Sequence, residues 1–410
     1  MDAQSQWTGL DVGRLERITD HIERNYIGPQ KIAGCQIAVS RHGHQAYLKS
    51  FGSMDLERNK PMMDDAIFRI YSMTKPITSI ALMTLYEKGY FQLNDPVSRF
   101  VPSWKNHRVW VSGEGDSMVT EAPKRPVSFK DVLSHTGGFT YGGGLPGVGD
   151  QHPVDKIYRG LKVRSAGSND TMMEFLDKLG QVPLLYQPGE RWMYSLATDI
   201  CGALVEVVSG KPFAQYLQEE IFGPLGMKDT SFFVAPDKID RFCANYQRGP
   251  DKKLKVIDDP ATSAFASEPG FKSGGGGLTG TIADYMRFCE MLRRGGELDG
   301  HRVIGPRTLE MMHMNHLPGG KDLTQLAIGG FSETANEGVG FGLGFASTMC
   351  QTQTASLGTG DYYWGGAAST IFWVDPKEDL SVVFMTQLMP SGTFNFRGQL
   401  KSLIYSAIID

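Results

Sequence analysis

Phe68-Arg-Ile-Tyr-Ser-Met-Thr-Lys-Pro-Ile-Thr78 holds the only Ser-x-x-Lys of the chain, Ser72 and Lys75. Residues three apart on a helix share a face, so the hydroxyl and the amine come within reach of a hydrogen bond. A serine hydroxyl beside an amine that has lost its proton is an activated nucleophile. Pro76 fixes the local geometry. A proline ring clashes with the carbonyl four residues back, so a helix through Pro76 begins no earlier than Ser72. The apolar residues that follow (Ile77, Ile80, Ala81, Met83, Leu85) predict a buried or amphipathic helix running to about Lys88. Ser72 is thereby placed at a helix N-terminus, where free N–H groups and the dipole favour a developing negative charge.

Around this helix the chain reads as strands at both ends and helices between. Helical spacing over 11–25 precedes two apolar runs, 34–40 and 45–51, separated by Arg41-His-Gly-His44, which signals a hairpin. Further helices are expected over 128–135, 171–179, 197–208, 212–221, 282–293 and 306–313. Strands are expected over 340–346, 369–374 and 380–386, the last two joined as a hairpin by Asp375-Pro-Lys-Glu-Asp379, with a last helix over 395–409. The N-terminal hairpin and the C-terminal strands are expected to form one antiparallel sheet flanked by the terminal helices. The fold class is therefore α+β. Residues 1–90 and 330–410 make the sheet domain; 91–329 make a mainly helical lobe with long loops, part of it packing back on the sheet.

Composition narrows the function. Of 410 residues, 41% are hydrophobic and 21% charged, as in ordinary globular proteins, and the net charge of −4 excludes a basic stripe for nucleic acid. The five cysteines, Cys35, Cys201, Cys243, Cys289 and Cys350, are scattered without metal-ligand spacing, which suits a reducing compartment. The N-terminus lacks the basic start and apolar stretch of a secretion signal, and no apolar run is long enough to span a bilayer, so a cytoplasmic location is expected. No Gly-x-Ser-x-Gly elbow, His-Glu-x-x-His or Cys-x-x-Cys occurs. No metal or cofactor is expected. The glycine clusters at 141–149 and 273–278 lack the lysine and the strand-to-helix setting of a phosphate loop.

Three more segments carry candidate chemistry. In Gln187-Pro-Gly-Glu-Arg-Trp-Met-Tyr-Ser-Leu196 a tight turn leads to Tyr194 at a loop-to-helix junction, where a phenol beside a cation is able to move a proton; packing by its ring is the plainer reading. Tyr363-Trp-Gly-Gly-Ala-Ala-Ser369 places glycines before an edge strand, where a substrate carbonyl can approach a backbone N–H; a bulge or tight turn is the plainer reading of the local sequence. In Leu133-Ser-His-Thr-Gly-Gly138, His135 reads as a helix cap favoured by the dipole. The other histidines, His107, His313 and His316 among them, read as surface, turn or solvent-facing residues.

With Ser72-Met-Thr-Lys75, Tyr194-Ser-Leu196 and Trp364-Gly-Gly366 in that order, the chain resembles the serine β-lactamase-like superfamily from about residue 12 to 408. Within it, the chain looks like the family VIII carboxylesterases, relatives of class C β-lactamases. Leu133-Ser-His-Thr-Gly-Gly138, Phe222-Gly-Pro-Leu-Gly-Met-Lys-Asp-Thr230 and Ser273-Gly-Gly-Gly-Gly-Leu-Thr-Gly280 add to the resemblance. It implies Ser72 as nucleophile, Lys75 with Tyr194 as the acid–base system, and an acyl-enzyme that water hydrolyses. It also implies backbone N–H donors at Ser72 and Ala367 as oxyanion hole, with Trp364, Gly365 and Gly366 binding substrate. Two departures separate the chain from true β-lactamases: Leu196 replaces the asparagine of Tyr-x-Asn, and Trp364 replaces the lysine of Lys-Thr-Gly. An indole cannot pair an anion, which turns the expectation toward short, neutral ester substrates with weak β-lactam turnover at most. Lys272-Ser273-Gly274 matches the looser motif but leads into glycines and a helix rather than a strand. An acyltransferase using the same residues, or a catalytically silent binding protein, stays open.

Overall fold

The structure, a computed structural model, describes residues 3–143, 152–163, 169–328 and 337–410. An eight-stranded antiparallel sheet organises it. In chain order its strands are β1 (Gly34–Arg41), β2 (His44–Asp55), β3 (Lys60–Pro61), β4 (Val339–Phe341), β5 (Ala346–Thr348), β6 (Tyr362–Gly365), β7 (Ile371–Asp375) and β8 (Leu380–Thr386). Across the sheet they lie in the order β4-β5-β6-β7-β8-β1-β2-β3. The two chain ends meet where β1 pairs with β8, Cys35 opposite Thr386 and Arg41 opposite Leu380.

Local chemistry makes both expected hairpins. The β1–β2 turn has His42 at φ 54 and Gly43 at φ 78, the left-handed pair that a two-residue turn of this hand requires. At the β7–β8 turn, the Asp375 carboxylate accepts from the N–H groups of Lys377 (3.0 Å) and Glu378 (3.3 Å). The stretch 340–346, expected as one strand, is instead the end of β4, a reversal and the start of β5. Gly342 N donates to Phe345 O (2.8 Å), and Gly344 takes φ 101. A side chain at Gly342 would come within 2.1 Å of the Met312 carbonyl, so this turn sits tightly on the preceding helix end. Alternating glycines that look like strand spacing are there for a close backbone approach.

Helices cover both faces of the sheet. The five that position the site are α1 (Val12–Ile22), α2 (Thr74–Glu87), α3 (Ala197–Ser209), α4 (Ile282–Arg293) and α5 (Phe396–Tyr405). Phe384 of β8 meets Phe396 of α5 at 4.8 Å between ring centroids, whereas Phe372 of β7 meets Tyr285 of α4 at 5.1 Å. Strand alternation thus sends successive residues to opposite helical layers. This explains why every residue of β1, β7 and β8 is buried. Helix α2 is buried on all sides from Thr74 to Leu85 rather than amphipathic, and it packs against α3. The helix that carries Lys75 and follows Ser72 is therefore part of the interior. Among the described residues no helix is long and apolar enough to cross a membrane.

His107 does not lie on the surface. It is 4% exposed, its ring tilts against Trp104 (4.8 Å), and Nε2 donates to the Leu179 carbonyl (3.2 Å). Nδ1 has no partner among the described residues, so a second proton would be buried without an acceptor. Burial holds its pKa down at about 4. The unfolded chain takes that proton near pH 6.5, so stability is intact above pH 6.5 and falls as pH drops toward 4. The whole window is worth about 3 kcal/mol. Urea unfolding at pH 7 and pH 5 measures the loss, and His107→Gln should make it shallower. His313, stacked on Tyr362 at 4.5 Å, and His316, bonded to the Met311 carbonyl at 2.8 Å, are also part-buried rather than solvent-facing. Burial lowers both pKa values too.

Candidate active site

The chain enters the site along Phe68–Arg69, paired with Thr279–Gly280. Arg69 anchors this approach: it is fully buried, with Nε on Asp258 (2.6 Å), Nη1 on the Cys243 carbonyl (2.6 Å) and its guanidinium 3.9 Å from the centre of the Phe242 ring. Tyr71 then adopts φ 40, a left-handed backbone that costs a non-glycine residue about 1 kcal/mol or more. Asn245 Nδ2 donates to the Tyr71 hydroxyl (3.2 Å) and Phe265 meets its ring edge-on at 5.9 Å. One 3-10 turn, Tyr71–Met73, leads into α2 at Thr74, as the position of Pro76 requires.

Lys75 is 2% exposed, and its Nζ donates to Ser72 Oγ (3.1 Å) and to the Gly275 carbonyl (2.6 Å). Tyr194 arrives from 122 residues downstream, and its hydroxyl donates to Ser72 Oγ at 2.6 Å. Lys75 Nζ lies 4.6 Å from the centre of the Tyr194 ring. Two side chains thus converge on the Ser72 oxygen. Tyr194 owes its place to a turn over Gln187–Glu190 with Gly189 at φ 85, followed by bonds from Trp192 N to Leu326 O, Met193 N to His135 O and Leu196 N to Thr140 O. Helix α3 starts directly after.

The glycine tract 273–278 is part of this site, which its sequence did not reveal. It threads between α2 and α3. Gly274 O accepts from Thr78 Oγ1 (2.8 Å) and Leu278 N donates to Thr74 Oγ1 (3.1 Å). A Cβ on Gly274 would come within 2.7 Å of the Thr198 carbonyl, and one on Gly275 within 2.6 Å of Asp199 Oδ2. Buried Asp199 holds the tract by accepting from Ser273 Oγ (2.5 Å) and Gly275 N (3.1 Å). Through Gly275, Asp199 therefore sets where Lys75 sits. Lys272 stays outside the cluster, paired with Glu268 at 2.9 Å and bonded to the Pro269 carbonyl.

The end of β6 closes the site. Neighbouring β5 reaches only Tyr362 and Tyr363, leaving the outer edge of Trp364–Gly365 unpaired by it. Past Gly365 the chain turns sharply, with Gly366 N on Thr370 O (2.7 Å) and Ser369 N on Gly366 O (2.9 Å). The Ala367 N–H has no acceptor among the described residues. A Cβ on Gly366 would come within 2.5 Å of the Ile70 carbonyl, so this turn abuts the turn that carries Ser72. Gly366→Ala should push the two apart; turnover of an ester substrate should fall by about 10²-fold, with about 1–3 kcal/mol of stability lost. The Trp364 indole is only 1% exposed, its ring 5.5 Å from that of Tyr194 and 5.3 Å from that of Phe341. It supports Tyr194 from below rather than offering an open wall.

His135 differs from the expected helix cap. The short helix Phe129–Leu133 ends before it, and His135 takes φ 58 with its ring buried 5.3 Å from that of Tyr194. Burial, helped by the Lys75 charge, pushes its pKa well below the ordinary imidazole value, so no charge is available to cap a dipole.

A family model described as Beta-lactamase matches residues 19–404. Protein Rv1367c of Mycobacterium tuberculosis is 31% identical over 363 residues, covering 88% of this chain and 86% of that protein. Esterase EstB of Burkholderia gladioli is 29% identical over 401 residues, covering 93% of each. Among solved structures, EstCE1, described as a hydrolase with promiscuous acyltransferase activity, superposes with a TM-score of 0.77 at 27% identity, covering 97% of this chain and 99% of that one. The chain belongs to the beta-lactamase family.

Proposed function

We propose that this protein is a serine carboxylesterase of the family VIII type, cleaving short, neutral esters through an acyl-enzyme on Ser72. The observation that carries the reading is the convergence of Lys75 Nζ and Tyr194 OH on Ser72 Oγ, at 3.1 and 2.6 Å. Ser72 Oγ attacks the ester carbonyl carbon while its proton passes to the Lys75–Tyr194 pair. The resulting oxyanion is held by the N–H groups of Ser72 and Ala367. Collapse expels the alcohol, which takes the proton back from Tyr194. Water then repeats the sequence on the acyl carbonyl and frees Ser72. General acid–base help and the oxyanion donors each contribute about 10²–10⁴ in rate.

Substrate neutrality follows from the anion-pairing groups the site lacks. Trp364 stands where class C β-lactamases carry the anion-pairing lysine, and Leu196 where they carry an amide. Gly365 and Gly366, past the end of β5, have no side chains to keep the substrate backbone or acyl group from this edge. The test is a panel of p-nitrophenyl acetate, butyrate and longer acyl esters, with a cephalosporin and a negatively charged ester alongside. Rapid turnover of acetate and butyrate supports the reading; preference for the cephalosporin or the anionic ester overturns it. Transfer to an acceptor alcohol is the second reading, favoured by the acyltransferase activity in the description of EstCE1, and it differs only in what deacylates Ser72. Adding a competing alcohol and measuring transester against free acid separates the two. A cytoplasmic location is proposed on the five free cysteines, four of them buried. Cell fractionation tests it.

A further inference from the structure

One buried titratable side chain beside the reactive cluster has no part in the chemistry above. His135 grips the chain on both sides of Tyr194. Its carbonyl accepts from Met193 N (3.0 Å), the residue before, and its Nδ1 pairs with Ser195 Oγ (3.3 Å), the residue after. The other ring nitrogen, Nε2, pairs with Thr198 Oγ1 (3.3 Å) in the first turn of α3. The ring itself is wedged among Tyr194, Trp192 and Phe341, at 5.3, 6.0 and 5.5 Å between centroids. The Tyr186 hydroxyl fixes the same carbonyl from the far side (3.3 Å).

We propose that His135 is a positioning residue for Tyr194, its imidazole and carbonyl together locking the phenol oxygen onto Ser72. The proposal rests on the esterase reading of the site. Its physical reason is that the segment it grips has no helix or strand of its own. Residues 193–196 lie outside regular elements, whereas Ser72, in the 3-10 turn, and Lys75, in α2, are three residues apart on continuous helical backbone. A phenol displaced by about 1 Å from its bond to Ser72 loses about 10²-fold in rate. A neutral imidazole suits the task because it donates at one nitrogen and accepts at the other, matching the two hydroxyls of Ser195 and Thr198.

The test uses p-nitrophenyl butyrate hydrolysis by the intact protein. His135→Ala should lower kcat by about 10²-fold and change KM by less than about twofold, because substrate contacts stay in place. Added imidazole should restore part of that rate by filling the vacated space. The deciding comparison is a double-mutant cycle. In a Tyr194→Phe background, where the positioned oxygen is already gone, His135→Ala should cause little further loss. Should His135→Ala fail to fold, Ser195→Ala with Thr198→Val removes both hydroxyl partners and leaves the ring, and the same drop and the same cycle are expected. Full kcat in these variants, or an equal loss with and without the Tyr194 hydroxyl, overturns the proposal. An inactive wild type on every ester would instead overturn the esterase reading, so the two failures are distinct.

Discussion

Ser72→Ala should abolish ester hydrolysis, lowering kcat by at least about 10⁴-fold while leaving the fold intact. The substitution removes a single oxygen from a partly exposed side chain in a turn whose conformation is set by its neighbours. Arg69 is anchored to Asp258 and Cys243, Tyr71 to Asn245 and Phe265, and α2 is buried around Thr74. None of these contacts involves the Ser72 hydroxyl. Thermal melts of the variant and the parent should therefore nearly coincide. With the nucleophile gone, the oxyanion donors and the acid–base pair have no covalent intermediate to serve.

Lys75→Ala and Tyr194→Phe should each cost about 10²–10⁴-fold in kcat, and together much less than the product of the two, since they act on one proton. The two variants should differ in stability. Tyr194→Phe keeps the ring against Trp364 and His135, so its unfolding midpoint should hardly change. Lys75→Ala leaves the buried Gly275 carbonyl without its donor, an unsatisfied group worth about 1–3 kcal/mol, and empties the space of the Cγ, Cδ and Cε methylenes. A stable but slow Tyr194→Phe beside a slow and weakened Lys75→Ala would reproduce the geometry described.

What could be read from the sequence was what is local along the chain. The Ser72–Lys75 pair is set by helical spacing and by Pro76. The β1–β2 and β7–β8 hairpins are set by residues inside their own turns, and helix boundaries such as Ile282–Arg293 by caps and apolar spacing. Tyr194 became more than one tyrosine among several through the family resemblance, because nothing near it in sequence records a partner 122 residues away. Asp199 and Gly275 were invisible for the same reason: their contacts with Ser273 and Lys75 exist only once α2, α3 and the glycine tract pack together. His107 and His135 are misread because their immediate neighbours are polar, whereas rings beyond them close over, Trp104 and Phe139 around the one and Phe341 beside the other. Substrate preference is expected to depend on the loops 105–125, 140–170 and 320–335; the first is described throughout and the other two in part, with 144–151, 164–168 and 329–336 outside the described residues.

The proposed chemistry requires Ser72 Oγ to attack as the nucleophile. Mixing the protein with a fluorophosphonate probe, then measuring intact mass and mapping the modified peptide, tests it most directly. One adduct per chain on the peptide containing Ser72, absent from Ser72→Ala and formed far more slowly in Lys75→Ala, is the expected result. An adduct on another residue, or continued ester hydrolysis by fully labelled protein, would contradict the account.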